Sequence, residues 1–116
     1  MQIVIKKIHN VEKAADLALK NRLFVPGWQL GEILRNINRL KCEIALAFEN
    51  ETPIGICLKI YYEPENQLHV FVRKRCRKQG IGRRLISLLK DDKSYGEIGI
   101  KKSNGKIWEL NGVCLK

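Results

Sequence analysis

The sequence predicts an α/β domain of the α+β kind, one sheet with helices on both faces. The element order is β-α-α-β-β-β-α-β, followed by a short C-terminal helix or strand. Three observations carry this. Apolar residues alternate with a period of two from Cys42 to Tyr62, on either side of a turn, as in an antiparallel hairpin. Before and after that hairpin, apolar residues recur at helical spacing. The composition, 45% hydrophobic and 29% charged over 116 residues, is that of one globular domain spanning 1–116.

Gln2 to Ile8 reads as the first strand, because Ile3 and Ile5 alternate with polar neighbours. Asn10 suits the N-cap of a helix running to about Asn21, with Val11, Ala14, Ala15 and Ala18 on one face. Pro26-Gly27 breaks the chain, and Leu30, Ile33, Leu34, Ile37 and Leu40 then mark a second helix over Trp28–Leu40. In the hairpin, Cys42, Ile44, Leu46 and Phe48 alternate up to a Glu49–Pro53 turn. Ile54, Ile56, Leu58 and Ile60 alternate after it. Glu63-Pro64-Glu65-Asn66 is a further turn, and Leu68 to Val72 the next strand. Beyond a basic loop, Ile81, Leu85, Ile86, Leu88 and Leu89 form an amphipathic helix with its basic positions outward. Tyr95 to Lys101 is the last clear strand. Two readings stand for the C-terminal residues. Asn104-Gly105 is a hairpin turn, or Asn104 caps a short helix Gly105–Asn111, ended by Gly112, before a strand Val113–Leu115; the second is preferred.

Several classes are excluded. No window approaches the ~18 consecutive apolar residues of a membrane span. Lysines and acids within the apolar pattern of the first 20 residues argue against a secretory signal, so a soluble cytoplasmic protein is expected. Cys42, Cys57, Cys76 and Cys114 stand far apart, with no C-x-x-C and no nearby histidine at metal spacing. They read as thiols that pack like small apolar groups, and no metal site is expected.

The net charge of +10 is concentrated. Residues 66–90 hold eight basic side chains (Arg73, Lys74, Arg75, Arg77, Lys78, Arg83, Arg84 and Lys90) and no acid. A localised excess of this kind suits an anion held at one place, a polyphosphate ligand or a nucleic acid. Within it, an apolar strand (Val70-Phe71-Val72) leads through a basic loop to Gly80-Ile81-Gly82, which opens a helix. The first N–H groups of a helix lack intrahelical partners and carry partial positive charge, a ready anion site. Glycines without Cβ atoms let a phosphate approach the backbone, and Arg77, Lys78, Arg83 and Arg84 add formal charge around it. No Gly-Lys-Ser/Thr follows, so this is not a Walker A loop. Leu85 stands where a dinucleotide fingerprint has its third glycine.

Arg77-Lys78-Gln79-Gly80-Ile81-Gly82 resembles the Gln/Arg-x-x-Gly-x-Gly/Ala signature of the GNAT superfamily of acyl-CoA-dependent N-acyltransferases. The spacing from Val72 to Arg77, the central hairpin with Gly55 early in its second strand, and the element order are similar to that family as well. The resemblance implies a mixed, mostly antiparallel sheet and acetyl-CoA as cofactor. It implies that backbone amides of Gln79, Gly80, Ile81 and Gly82, with Arg77 and Arg83 nearby, hold the pyrophosphate. It further implies that the main chain of Val70, Phe71 and Val72 pairs with the pantetheine arm, one N–H serving as an oxyanion donor. Asn104 matches an Asn that follows the family's fifth strand. The acetyl group would pass directly to an amine in a ternary complex. Lys74 and Cys76 depart from the family's usual Pro and aromatic, Trp108 sits nearest its proton-donating Tyr, and the acceptor half is trimmed.

Amine attack calls for a base. His69, in the strand beside the proposed cofactor, is one candidate; a packed sheet-face side chain is the other reading of it. Glu63 and Glu65 are candidates acting through water, or solvated turn residues. Tyr61, Tyr62 and Tyr95 are candidate acids for the departing thiolate, or structural strand tyrosines. Three functional classes follow: an N-acetyltransferase, a catalytically inactive GNAT-fold interaction module, and a basic nucleic-acid binder. The last is disfavoured because no aromatics interleave the basic run. A second copy of the chain is a candidate partner, able to complete a shortened acceptor site.

Overall fold

The computed structural model of the protein describes residues 2–27, 29–61, 66–90, 94–96, 109–110 and 113–114. Strand β1 (Ile3–Ile8) leads to helix α1 (Val11–Lys20). The Asn10 side-chain oxygen accepts the Lys13 N–H at 3.0 Å, satisfying one of the orphan amides that open α1. Ala14, Ala15 and Ala18 turn inward and are buried, and their small size lets the helix lie close to the sheet.

The second helix is shorter than its apolar spacing suggests. Helix α2 spans Gln29–Arg35, and a 3₁₀ turn takes Ile37–Arg39. Asn36 separates them. Its side-chain amide donates to the Glu32 carbonyl at 3.0 Å while its backbone, at φ −119° and ψ 27°, has left the α-helical region. Leu30, Leu34 and Ile37 reach the core all the same.

Strands β2 (Cys42–Glu49) and β3 (Thr52–Ile60) form the expected hairpin, but around a turn of two residues. Asn50 and Glu51 both take positive φ, 51° and 72°, the backbone that matches hairpin twist. Pro53 therefore belongs to the strand. Ala47 pairs with Gly55 and Phe48 with Pro53, so Ile54 is an extra residue in β3. This bulge corrects the simple alternation. Ile56, Leu58 and Ile60 face α1 and α2, whereas Ile54 turns to the other face with Ala45, Ala47 and Cys57.

Strand β4 (Asn66–Val72) runs antiparallel to β3, helix α3 (Ile81–Leu89) returns across the sheet, and β5 (Ser94–Gly96) pairs parallel with Asn66–Leu68. The strands lie in the order β1-β2-β3-β4-β5. Residues 97–101 of the expected last strand lie outside the described residues. Strands β6 (Glu109–Leu110) and β7 (Val113–Cys114) pair antiparallel in a separate small sheet. Glu109 and Leu110 are thus extended and not part of a helix over Gly105–Asn111. The Asn111-Gly112 dipeptide between the strands favours hairpin turns, and so short a helix has little stability of its own.

The sheet divides the interior in two. Leu85, Ile86 and Leu89 of α3 pack on Ala45, Cys57, Leu68, Val70 and Val72, while α1 and α2 cover Ile44, Leu46, Ile56 and Leu58. Cys42, Cys57 and Cys76 are free thiols, and burial pushes Cys57 up to about 12. Among the described residues, no cluster of His, Cys, Asp and Glu is arranged to hold a metal ion, and no helix is long and apolar enough to cross a membrane.

Candidate functional site

The site grows out of the end of β4. The Arg73 N–H donates to the Ile54 carbonyl at 2.9 Å, extending the β3–β4 ladder by one bond. The Arg73 side chain reaches back to the Asn21 carbonyl at the C-terminus of α1, 3.0 Å away, where a cation complements the helix dipole. A 3₁₀ turn (Lys74–Cys76) follows, anchored by Cys76, whose side chain enters the core. Arg77 then folds back on the strand. Its Nε donates to the Val72 carbonyl at 2.7 Å, and its guanidinium lies 5.4 Å from the centre of the Phe71 ring.

Two left-handed residues complete the turn, Lys78 at φ 66° and Gly80 at φ 81°. Gly80 is the N-cap of α3 and has no side chain to satisfy the amides beyond it. The first bond of the helix runs from the Arg84 N–H to the Gly80 carbonyl at 3.1 Å. The amides of Ile81, Gly82 and Arg83 therefore have no intrahelical acceptor. They open on a cleft of about 270 Å³. Val72 and Cys76 form its apolar wall, Gly80, Ile81 and Gly82 its floor, and Arg77, Lys78 and Arg83 its charged rim. A Cβ on Gly80 would meet nothing within 4 Å, so the backbone there is open to a ligand. Helix amides, the dipole behind them and three cations together suit a diphosphate.

The edge of β4 adds a second element. Since the Arg73 N–H points at β3, alternation directs the N–H and C=O groups of Val72 and Val70 to the opposite edge. The pairing with β5 spans Asn66–Leu68, and among the described residues no strand covers that edge over Val70–Val72. The Val72 carbonyl is taken by Arg77. The Val70 amide and carbonyl face that edge.

The structure thus brings Val72, Arg77, Lys78, Gly80, Ile81, Gly82 and Arg83 together around one cleft. Gln79 is exposed beside it, Val70 is buried toward α3, and Phe71 lies on the other face beneath Arg77. The basic run is not all available to a ligand: Arg73 caps α1, and Arg75 pairs with Glu49 at 3.4 Å. Glu63 and Asn104 lie outside the described residues. Tyr95 stands in β5 in register with Gln67.

His69 occupies the α1–α2 face of β4, about 10 Å along the strand from Val72. It is only 3% exposed. Burial pushes its pKa down from 6.5 to about 4, so the ring is neutral at pH 7. Its Nε2 lies 2.7 Å from the Gln67 Oε1, a contact that residue-type reasoning overlooks although positions 67 and 69 share a strand face. The burial has a consequence for stability. In acid the unfolded imidazole takes up a proton near 6.5, but the folded one only near 4. Stability is full above the first value and falls as pH drops toward the second, by about 3 kcal/mol in all. Urea unfolding at pH 7 and pH 4.5 is expected to show a larger loss for wild type than for His69→Phe; equal losses would place the histidine in a wetter site.

The helix end that opens on a basic cleft, with a strand edge uncovered among the described residues, defines a class: an α+β protein suited to hold a phosphate-bearing ligand against β4. Residues 41–112, more than half of the chain, match the acetyltransferase (GNAT) domain, and the protein belongs to that family. No curated protein matches it by sequence. Among solved structures it is similar to a ribosomal-protein-alanine N-acetyltransferase from Brucella melitensis biovar Abortus 2308. That match has a TM-score of 0.60 at 17% identity and covers 84% of this chain and 81% of the other. A GNAT-family acetyltransferase from Streptococcus pneumoniae TIGR4 matches with a TM-score of 0.58 at 18% identity, over 88% and 78% of the two chains. The aminoglycoside N-acetyltransferase AAC(6')-Iy in complex with CoA matches with a TM-score of 0.54 at 17% identity. It is covered over 66% of its length by 75% of this chain.

Proposed function

We propose that the protein is a cytoplasmic, single-domain N-acetyltransferase that transfers acetyl from acetyl-CoA directly to an amine. The observation that carries this reading is the left-handed Gly80, which leaves the amides opening α3 uncapped and facing a basic cleft. In this reading the amides of Gly80 to Arg83, with that of Gln79 beside them and the side chains of Arg77, Lys78 and Arg83, hold the diphosphate of the cofactor. In the same reading the edge of β4 over Val70–Val72 pairs with its extended arm, and the Val70 N–H donates to a carbonyl oxygen that gains negative charge. When bound, acetyl-CoA supplies a thioester that an amine converts to an amide and a free thiol. His69 is the candidate base for the proton that the amine sheds, and a weak one, since the burial that lowers its pKa to about 4 opposes the imidazolium. Membership of the family supports the chemistry. The structural neighbours support the fold, and two of them are named for amine acceptors, an aminoglycoside and a ribosomal-protein alanine.

The nucleic-acid reading has less support, because Arg73 and Arg75 are engaged within the fold. The experiment is free-thiol release from acetyl-CoA against a panel of small amines, peptide N-termini and lysine peptides, run beside calorimetry with CoA. Amine-dependent thiol release is expected. Binding of CoA with no turnover of any amine would favour an inactive interaction module, and no binding of CoA would end the reading.

A further inference from the structure

We propose that Arg73 is a positioning residue that ties the loop 73–80 to the C-terminus of α1. The cleft is thereby shaped before a ligand arrives, and its occupancy is felt on the opposite face of the sheet. The tether stands on hydrogen bonds within the fold; its effect on CoA rests on the cofactor reading above.

Arg73 holds both structures at once. Its N–H donates to the Ile54 carbonyl at 2.9 Å, and its own carbonyl accepts the Cys76 N–H at 2.8 Å. The turn that leads into the cleft wall is therefore hung on this residue. Two positions after Phe71, its side chain leaves on the α1–α2 face and donates to the Asn21 carbonyl at 3.0 Å. Arg73 does not line the cleft, whereas Cys76, Arg77 and Lys78, which follow it, do.

The end of α1 is a firm anchor. Arg22 takes φ 53° and its N–H donates to the Leu19 carbonyl at 3.1 Å. The Leu23 N–H donates to the Ala18 carbonyl at 2.9 Å. This pair of bonds is the left-handed stop of a helix, and the fully buried Leu23 fixes it in the core that α1 and α2 share with the sheet. A guanidinium is favoured there by the negative end of the helix dipole.

The loop has fewer anchors of its own. Among residues 74–80 only Cys76 is buried, and Lys78 and Gly80 are left-handed. Arg77 adds its bond to the Val72 carbonyl. An exposed segment of one shape is ordered either by the fold or by its ligand, and ordering by the ligand lowers affinity. Arg73 places that ordering in the fold.

Calorimetry with CoA and amide hydrogen exchange, both on the full chain, test this with Arg73→Met, Arg73→Lys and Arg75→Met. Arg75 carries the same charge two residues on but pairs with Glu49. Arg73→Met, which keeps the stem and loses the donors, is expected to raise Kd about tenfold, the scale of one charge-assisted hydrogen bond. It is also expected to speed exchange at the Cys76 amide. Arg73→Lys keeps a cation for the helix end and is expected to restore most of both. Arg75→Met is expected to change Kd by less than about twofold, because an exposed charge is screened. In wild type, CoA is expected to slow exchange at Arg22 and Leu23, and Arg73→Met to abolish that response.

Equal losses of affinity in Arg73→Met and Arg75→Met would make the effect one of charge and overturn the proposal. So would a weaker salt dependence of CoA binding in Arg73→Met alone, the mark of a direct ligand contact. If Arg73→Met fails to fold, wild type decides, and Arg22 and Leu23 amides that ignore bound CoA end the proposal. Unchanged affinity in folded Arg73→Met also ends it and leaves the cofactor reading standing. Wild-type protein that binds no CoA removes that reading and the effect on affinity with it. Exchange at Cys76 then decides the tether alone, an unchanged rate in Arg73→Met refuting it.

Discussion

Gly80→Glu is expected to abolish CoA binding in a protein that still folds. Gly80 sits at φ 81° and ψ 5°, where any L side chain costs about 1–2 kcal/mol. That cost is local and tolerable, since a Cβ there meets no neighbour within 4 Å. The unobstructed space is the mouth of the cleft, so the glutamate carboxylate projects toward the position of the ligand's negative charge. It also competes for the amides of Gly82 and Arg83, acting as a tethered cap on α3. Two charge-assisted bonds to the diphosphate, at ~1.5–3 kcal/mol each, are lost. The dissociation constant is expected to rise by on the order of 100-fold or more, beyond detection in a calorimeter for a micromolar ligand. Gly80→Ala, which adds strain without charge or reach, separates the two effects and is expected to bind more weakly than wild type but measurably. A thermal melt near that of wild type establishes folding. Gly80→Glu protein that binds CoA as wild type does would place the diphosphate elsewhere and take the cofactor assignment with it.

The same residues show what could be read from the chain and what could not. The α3 end was legible because its signal is local: an apolar strand, a basic loop and two glycines within 15 residues, with no long-range contact needed to interpret them. The spacing from Val72 to Arg77 even closes a hydrogen bond, from the Arg77 Nε to the Val72 carbonyl. The Asn10 cap was legible for the same reason. The bulge at Ile54 was not, because apolar alternation continues through Ile54 and Ile56, and only the pairing with β2 reveals the extra residue. Asn36 ended α2 against an intact apolar period, a side-chain bond overriding the pattern. Nor does a run of like charge reveal which members serve the fold. Arg73 finds a helix end formed 52 positions earlier, and Arg75 finds Glu49 across the hairpin. Summed charge overstates the cleft because two of its arginines are spent on tertiary contacts.

A further effect on stability is expected at Gly55, where the sheet and α3 are in tight contact. Gly55 follows the bulge, pairs with Ala47 on one side and Val72 on the other, and lies under Leu85. A Cβ built there stands 3.2 Å from the Leu85 Cδ1, 3.3 Å from the Phe71 carbonyl oxygen and 3.4 Å from the Val72 Cγ2. Alanine is tight, and the neighbours must give by tenths of an ångström. Valine adds two more methyl groups to a contact whose other side includes backbone of β4, which cannot move without disturbing the ladder. Overpacking of this kind costs about 1–3 kcal/mol. The strain also pushes α3 away from Val72, which walls the cleft, so Gly55→Val is expected to weaken CoA binding alongside stability. Leu85→Ala alone removes a fully buried side chain and is expected to cost ~2–5 kcal/mol through the cavity it leaves. Combined, the two changes partly cancel, since valine methyls enter the space that Leu85 vacates. Urea unfolding of the four proteins is expected to show the double variant about 1 kcal/mol or more above the sum of the singles. Strict additivity would mean that Leu85 does not limit the approach of α3, and that the rigid contact at Gly55 is with the β4 backbone instead.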